Sequence, residues 1–301
     1  MSQFNYNKRR LTVEKIPVIN IVKKNETPFY LYSRKQVLEN LKNFNKTFFQ
    51  TKPLVCFSVK SNSNLSILKI LKEQGCGADV VSAGELLKVL KAGIKPNKIV
   101  FSGVGKSEAE LRLAIKKNIL LINVESENEA RLINKISKKM KKKTSIGVRI
   151  NPNISANTHQ KISTGKAEDK FGISINDLTN LSKNMNKYNS LKLNAISVHI
   201  GSQILSESPF KKTLKVLGKT IQNLNLDLKF VDLGGGFGIS YNKKQKKVNL
   251  NNYAKEVNKF KKKFRCNIIF EPGRAILGNA GILISKIQYL KKGKNKLFAI
   301  L

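Results

Sequence analysis

The sequence lacks tryptophan altogether and has only two histidines and three cysteines in 301 residues. Cys56, Cys76 and Cys266 stand far apart and form no CxxC pair, which excludes a disulfide framework and a zinc site of the usual spacing. No apolar run approaches the roughly 20 residues of a membrane-spanning helix, and residues 1–10 are too polar for a signal sequence. We therefore expect a cytoplasmic protein with no bound metal and no membrane association.

Acidic residues are also scarce, because 57 Lys and Arg stand against 19 Asp and Glu and give a formal net charge of +38. Such a charge attracts polyanions and would suit a basic nucleic-acid-binding protein, which is the alternative from another class. The lysines are spread over nearly every predicted helix and loop, however, and no recognition module is visible. Asn and Ile are abundant too, so a bias toward A/T-rich codons explains the excess, and we expect no specific nucleic-acid partner.

Short apolar runs of strand length alternate with longer segments of helical period along most of the chain. This alternation is typical of an α/β protein with a parallel sheet and crossover helices. Eight such units favour a closed (β/α)8 TIM-like barrel of about 250 residues over an open doubly wound sheet, which is the alternative architecture. The predicted strands are Leu54–Val59, Ala78–Val81, Lys98–Phe101, Leu120–Val124, Ser145–Ile150, Ala195–His199, Phe230–Leu233 and Ile268–Phe270. A helix between two of them has an apolar face of Ala83, Leu86, Leu87 and Leu90 and ends at Gly93.

Two segments outside the predicted barrel, Leu11–Leu31 and Ile282–Leu301, have an extended, β-like composition. The last run, Leu297–Leu301, is an apolar strand without turn, partner or polar cap, which suggests an interrupted domain. We therefore predict an N-terminal segment that belongs with a β domain (residues 1–27), a barrel (28–277), and the start of a truncated, incomplete C-terminal β domain (278–301).

Polar residues follow the predicted strands at their carboxyl ends, where barrels of this type place their active sites. They are Lys60, Asp79, Ser82, Arg149, His199, the glycines Gly234, Gly235 and Gly236, and Glu271.

Lys60 follows a mostly apolar strand, so its amine is expected to project into the barrel mouth. Desolvation there favours the free amine that a Schiff base requires; a solvated strand-end lysine is the alternative. The glycine run exposes backbone N–H groups that suit close approach to a phosphate, or it forms a tight turn.

Two other strand-end residues have two readings each. Glu271 either faces a ligand or forms a salt bridge with Arg274 or Arg149. His199 is either a hydrogen-bonded core imidazole or a ring that stacks on a ligand. The role of His159, in a loop that we expect near a substrate entrance, stays open.

Taken together and in register, these motifs resemble the fold-type III pyridoxal-phosphate decarboxylases over roughly residues 28–301. Within that family, Ser163-Thr164-Gly165 and Lys170-Phe171-Gly172, with Thr158-His159 upstream, are similar to the diaminopimelate branch rather than the ornithine or arginine branches. The other matching segments begin at Phe57, Gly77, Phe101, Asn123, Arg149, His199, Gly234 and Glu271.

The resemblance implies pyridoxal 5'-phosphate as cofactor, with Lys60 as its Schiff-base lysine, Glu271 at the pyridine nitrogen and His199 stacked on the ring. Lys60 and His199 would be catalytic, and Arg274 would also meet a substrate carboxylate. The remaining implied cofactor-binding residues are Ser202, Gly235, Gly236, Gly273 and Arg274 around the phosphate, and Asp79 and Arg149 as supports.

The implied reaction is decarboxylation of meso-2,6-diaminopimelate, an amino-acid substrate, to L-lysine and carbon dioxide, and the implied assembly is a homodimer when full length. The family's C-terminal β domain contributes a cysteine acid, a glutamate and a tyrosine, and Cys56, Cys76 and Cys266 do not match that cysteine. The alternatives are a pyridoxal-phosphate-binding barrel with little or no turnover, and a relative that acts on ornithine or arginine.

Overall fold

A computed structural model describes residues 3–155, 165, 169–242, 245 and 248–301. In chain order its strands are β1 (Phe4–Asn7), β2 (Arg10–Val13), β3 (Ile16–Pro17), β4 (Phe29–Tyr32), β5 (Leu54–Ser58), β6 (Gly77–Val80), β7 (Ile99–Phe101), β8 (Leu121–Val124), β9 (Thr144–Arg149), β10 (Leu191–Ser197), β11 (Phe230–Asp232), β12 (Asn267–Phe270), β13 (Gly281–Ile284), β14 (Tyr289–Lys292) and β15 (Leu297–Ile300). Its helices are α1 (Val18–Val22), α2 (Arg34–Thr47), α3 (Leu65–Glu73), α4 (Ala83–Lys91), α5 (Glu108–Lys117), α6 (Glu127–Lys139), α7 (Ile175–Lys183), α8 (Ser208–Asn223), α9 (Asn251–Phe264) and α10 (Arg274–Leu277).

Strands β5 to β12 form a closed barrel in which each neighbouring pair is parallel, in the order β10-β11-β12-β5-β6-β7-β8-β9. The predicted (β/α)8 barrel is therefore confirmed, and each of the eight predicted strands is present. The largest difference in a strand end is at β10, which begins at Leu191 rather than Ala195 and carries a register shift between Leu193 and Ala195. The barrel belongs to a compact unit of residues Asn43–Ala275.

The inward side chains of the barrel strands form a packed interior. Cys56, Val100, Leu121, Ala195 and Ile269 form one fully buried cluster contributed by five strands. Small and branched side chains of this kind fill the layers of an eight-stranded barrel, so the interior is a core and the strand ends carry the polar groups.

One predicted helix face is partly wrong. Helix α4 buries Leu86 and Val89, whereas Leu87 is 53% exposed. Leu86 and Val89 are three residues apart and lie on one face, and Leu87 points to one side of it. Gly93 follows the helix with a φ of +88°, as the prediction of a glycine stop requires.

A second compact unit consists of Met1–Lys42 and Ile276–Leu301. Within it β1, β2 and β3 form an antiparallel sheet, β4 pairs with β13, and β14 pairs with β15. The extended composition predicted for Leu11–Leu31 is wrong at α1, where five residues are helical. The expectation that the last strand has no partner is also wrong, because Leu297 to Ile300 pair with Lys292 to Tyr289.

Within the described ranges, every helix is too short or too polar to serve as a membrane span.

Candidate functional site

A cavity of about 220 Å³ lies at the carboxyl ends of the barrel strands. It collects six of the predicted site residues, Lys60, Asp79, Arg149, His199, Ser202 and Glu271, together with Ser58, Val81, Ser102, Gly103, Phe171 and Ser197. Parallel strands bring residues far apart in sequence to one edge, which is why the strand-end list predicted this grouping. Gly235, Gly236, Gly273 and Arg274 do not line the cavity itself.

Lys60 lies in a short 3-10 turn, Val59–Ser61, directly after β5. It is exposed and lines the cavity, so the desolvation that we expected for its amine is not what the structure shows. The positive charge of Lys60 acts on Asp79 and Glu271, which line the same cavity.

Asp79 is the third residue of the fully buried strand β6 and is 2% exposed. Its Oδ2 accepts a hydrogen bond from Ser58 Oγ at 2.9 Å, whereas its Oδ1 is buried without a hydrogen-bond partner in the described part of the chain. Burial raises the pKa of Asp79, and the charge of Lys60 is the largest effect that opposes the shift. An unpartnered carboxylate oxygen beside a cavity suits a cationic group or an N–H donor.

Glu271 follows β12 and is 8% exposed. Its Oε1 lies 3.5 Å from Ser102 Oγ, and its backbone N–H donates to the carbonyl oxygen of Gly234 at 2.8 Å. The carboxyl group of the neighbouring Asp232 acts on its pKa. Burial, followed by the negative charges of Asp232 and Asp79, raises the pKa of Glu271 well above its ordinary value. Burial and these two charges therefore favour the protonated form of Glu271.

Asp232 has no predicted role, yet it is fully buried at the end of β11. Asn123 Nδ2 donates to its Oδ2 at 3.0 Å and also reaches Ser197 and Ser102 at 3.3 Å. The sequence contains a signal for this residue, because Asp232 is an acidic residue near the carboxyl end of the seventh predicted strand, two residues before the glycine run.

His199 lies after β10 and is half-buried on the cavity wall. Its Nδ1 accepts the backbone N–H of Gly235 at 3.2 Å, which places the proton of a neutral ring on Nε2. Burial, followed by the charges of Lys60 and Arg149, holds the pKa of His199 well below its ordinary value. The ring is therefore neutral and tied to the glycine run, and its predicted stacking on a cofactor stays a prediction.

Arg149, the last residue of β9, forms a buried ion pair with Glu125 at 3.0 Å. Its guanidinium lies over the ring of Phe171 at 4.7 Å from the centroid, and it reaches the His199 carbonyl at 3.4 Å. The alternative in which Arg149 pairs with Glu271 is not what the described residues show. Glu125 lies in the matching segment that begins at Asn123 and has no predicted role.

The glycine run is required by close packing of three strand ends. A Cβ on Gly235 would lie 2.2 Å from the carbonyl oxygen of Glu271, and one on Gly236 would lie 2.4 Å from that of Gly201. Gly236 also has a φ of +88°, which favours glycine. These residues hold His199 and Glu271 in place, and their contact with a phosphate stays a prediction.

Arg274 opens the short helix α10 and donates a hydrogen bond to the hydroxyl of Tyr241, whose ring centroid is 5.8 Å away. Its Nε is buried without a hydrogen-bond partner among the described residues. An unpartnered guanidinium nitrogen suits an anionic oxygen, as predicted for this residue. Gly273 packs next to Ser61, 3.2 Å from the position of a Cβ.

Some predicted features lie outside the described residues, namely His159, Thr158, Ser163 and Thr164. In the described part of the chain, no group of three or more His, Cys, Asp or Glu side chains could hold a metal ion.

Comparison with known proteins identifies this arrangement. The model of the pyridoxal-binding domain of pyridoxal-dependent decarboxylases matches residues 34–278. Diaminopimelate decarboxylase of Helicobacter pylori is 42% identical over 278 residues, which are 91% of this chain and 68% of that protein. The Haemophilus influenzae enzyme of the same name is 40% identical over 304 residues, covering 100% of this chain and 73% of that protein.

A solved structure leads to the same family. The crystal structure of diaminopimelate decarboxylase from Helicobacter pylori complexed with L-lysine matches with a TM-score of 0.88 and 40% identity. The match covers 93% of this chain and 71% of that chain.

The residues present fit pyridoxal phosphate. The cavity offers a lysine amine, a buried carboxyl group and a neutral imidazole. The unpartnered Asp79 Oδ1 and Arg274 Nε are polar atoms that a charged ligand could satisfy. Sequence, fold and cavity agree, and the chain belongs to the pyridoxal-dependent decarboxylases, with the diaminopimelate decarboxylases among its relatives.

Proposed function

We propose that this protein uses pyridoxal 5'-phosphate to decarboxylate meso-2,6-diaminopimelate to L-lysine and carbon dioxide. The observation that carries the proposal is the convergence of Lys60, His199 and Glu271 on one cavity at the barrel mouth. The relatives named diaminopimelate decarboxylase support the substrate, and one of them is described in complex with L-lysine.

Residues in the cavity and beside it would hold the cofactor together. Lys60 would hold it covalently through its amine, and the carboxyl group of Glu271 would hold the pyridine nitrogen. When bound, pyridoxal phosphate supplies an electron sink for the electron pair left on the substrate α-carbon as carbon dioxide departs. The phosphate would be held by Ser202, Gly235, Gly236, Gly273 and Arg274.

Two local features fit these parts. The neutral ring of His199, fixed by the Gly235 N–H, presents an uncharged face to an aromatic neighbour. Burial raises the pKa of Glu271, which favours a proton on the carboxyl group that would meet the pyridine nitrogen. Asp79, which accepts a hydrogen bond from Ser58, and Arg149, which pairs with Glu125, would support the residues that hold the cofactor.

Arg274 has the chemistry for a substrate carboxylate, because a planar guanidinium binds a carboxylate through two parallel hydrogen bonds. Its Nε is unpartnered in the described structure, and Tyr241 holds the other side of the guanidinium. This arrangement would orient an amino acid at the cavity.

The direct test is product formation. Purified protein supplied with pyridoxal phosphate is incubated with meso-diaminopimelate, ornithine or arginine, and lysine and carbon dioxide are measured. We expect lysine only from diaminopimelate and none with Lys60→Ala, while Lys69→Ala, which changes an exposed helix residue, keeps the wild-type rate. Release of carbon dioxide from ornithine or arginine instead would overturn the substrate, and cofactor binding without release from any of the three would reduce the function to cofactor binding.

We also propose that residues 28–277 are the cofactor-binding domain and that residues 1–27 and 278–301 belong to a β domain. We propose a homodimer, supported by the exposed apolar side chains of Tyr289, Leu290 and Leu297. Sedimentation of the purified protein tests the dimer. We propose a cytoplasmic location, supported by three free cysteines that are all buried.

A further inference from the structure

Asp232 is the one fully buried acid of the barrel mouth to which the proposed function assigns no part within the described residues. Its Oδ1 accepts the Gly234 N–H at 3.0 Å. Its Oδ2 accepts Asn123 Nδ2 at 3.0 Å and Ser197 Oγ at 3.2 Å. The carboxyl group of Glu271 is its fourth neighbour. Two links join the residues: the carbonyl oxygen of Gly234 accepts the Glu271 N–H at 2.8 Å, and Asn123 also reaches Ser102, whose Oγ lies 3.5 Å from Glu271 Oε1.

The donors around Asp232 determine where the proton of this acid pair resides. Three neighbours, Gly234, Asn123 and Ser197, present hydrogens to Asp232, as they would to a carboxylate. Two carboxylates cannot hydrogen-bond to each other unless one is protonated, so the hydrogen in the fourth contact belongs to Glu271. The same hydrogen bond raises the pKa of Glu271 and lowers that of Asp232, although burial raises both.

We infer that Asp232 is a positioning residue for Glu271: it is the ionised half of an acid pair that fixes the Glu271 carboxyl group and keeps a proton on it. This inference rests on the proposed contact between Glu271 and the pyridine nitrogen, because that contact needs a proton between the two atoms. Asp232 also joins this acid to the glycine run through Gly234. The Asp232 side chain therefore neighbours both Glu271 and the glycine run, and the proposed function assigns both of these to the cofactor.

Other charged and titratable groups face the pair, and they bear on the design of a test. Asp79 adds a second negative charge, and Lys60 opposes it. The fully buried thiol of Cys56 lies within reach of all three acids, whose charges add to the burial that raises its pKa. Arg149 acts on Asp79 and, together with Lys60, on His199. A titration must therefore follow Glu271 itself rather than a global signal.

The first experiment measures proton affinity without the cofactor. Protein labelled with 13C at the glutamate carboxyl carbon is titrated by NMR, and the Glu271 resonance is assigned by its loss in Glu271→Gln. We expect its midpoint to fall by about one pH unit or more, a tenfold change in proton affinity, in Asp232→Asn. Asp227→Asn, the same change at an exposed position, should leave it unchanged. An unchanged midpoint in Asp232→Asn overturns the inference.

If Asp232→Asn does not fold, the wild-type curve decides. A shared proton gives the Glu271 resonance two inflections, one for each step of the coupled pair, whereas a single inflection at the ordinary glutamate value overturns the inference.

The second experiment measures binding of pyridoxal phosphate by quenching of tyrosine fluorescence. We expect at least a tenfold weaker Kd in Asp232→Asn than in Asp227→Asn, and equal affinities contradict the link to the cofactor. Failure of the wild-type protein to bind pyridoxal phosphate would sink the proposed function alone, because the NMR titration judges the acid pair independently.

Discussion

Replacing Glu125 with glutamine tests the buried ion pair behind the cavity wall. The side chains of Arg149 and Glu125 are 10% and 4% exposed, and the bonded atoms are 3.0 Å apart. Glu125 also accepts the backbone N–H of Gly172 at 2.7 Å. Removing one partner of a buried pair leaves an uncompensated charge and costs about 3–5 kcal/mol. Because glutamine keeps the size and one acceptor oxygen, we expect a loss near the lower end, about 3 kcal/mol.

The assay is urea unfolding of the cofactor-free protein, followed by far-UV circular dichroism. The matched control is Glu108→Gln, which removes a charge from an exposed helical pair with Arg112 and should have no measurable effect. Adding Arg149→Met to Glu125→Gln should recover part of the loss, because the unpaired charge is then gone. A Glu125→Gln variant as stable as the control would refute the reasoning.

Three further changes have defined outcomes. Lys106→Met leaves the half-buried Glu129 carboxylate without its 2.7 Å partner, and urea unfolding should show a loss of about 3 kcal/mol; wild-type stability would contradict this. Gly235→Ala places a Cβ 2.2 Å from the Glu271 carbonyl oxygen and should cost at least about 1–3 kcal/mol, whereas Gly105→Ala, with no atom within 4 Å, should be neutral, and equal losses would refute the packing argument. Glu271→Gln removes an acid whose pKa is raised in the folded state, so its stability relative to the wild type should rise as pH increases above the ordinary glutamate pKa, by about 1.4 kcal/mol for each pH unit until the raised value is passed; a difference that does not vary with pH would contradict the shift.

The sign of the last prediction follows from proton linkage. The stability that Glu271 contributes is present below the ordinary glutamate pKa and is lost as pH rises through the raised value of the folded state. Above that value the wild type carries the cost of a buried charge that glutamine avoids. His199 has the opposite dependence, because its pKa is lowered and its contribution is lost as pH falls through the folded value.

Barrel topology could be predicted from the sequence because each of its signals is local. The alternation of short apolar runs with helical segments marks every strand, and strand ends of a parallel barrel share one edge. Lys60, His199 and Glu271 could therefore be grouped before any coordinates were known. Their convergence follows from topology alone.

Partners across the barrel could not be predicted in the same way. The pairing of Glu125 with Arg149, and of Asp232 with Glu271, depends on side-chain geometry between different strands, which no local pattern records. The partner of the last strand, Leu297–Ile300, was also not predicted, for a different reason. That partner lies only a few residues upstream, but its sequence is rich in lysine and lacks the apolar pattern of a strand. A pattern predicts where a residue sits more readily than what it touches.

One lysine among many, Lys60, is expected to hold the cofactor. Reducing the protein with borohydride in the presence of pyridoxal phosphate fixes the cofactor to the amine that holds it, and peptide mass mapping then locates the added mass. We expect a single major site at Lys60, lost in Lys60→Ala and retained in Lys69→Ala. Labelling spread over exposed lysines, or a major site elsewhere that is unchanged in Lys60→Ala, would contradict the assignment of the barrel-mouth cavity as the cofactor site.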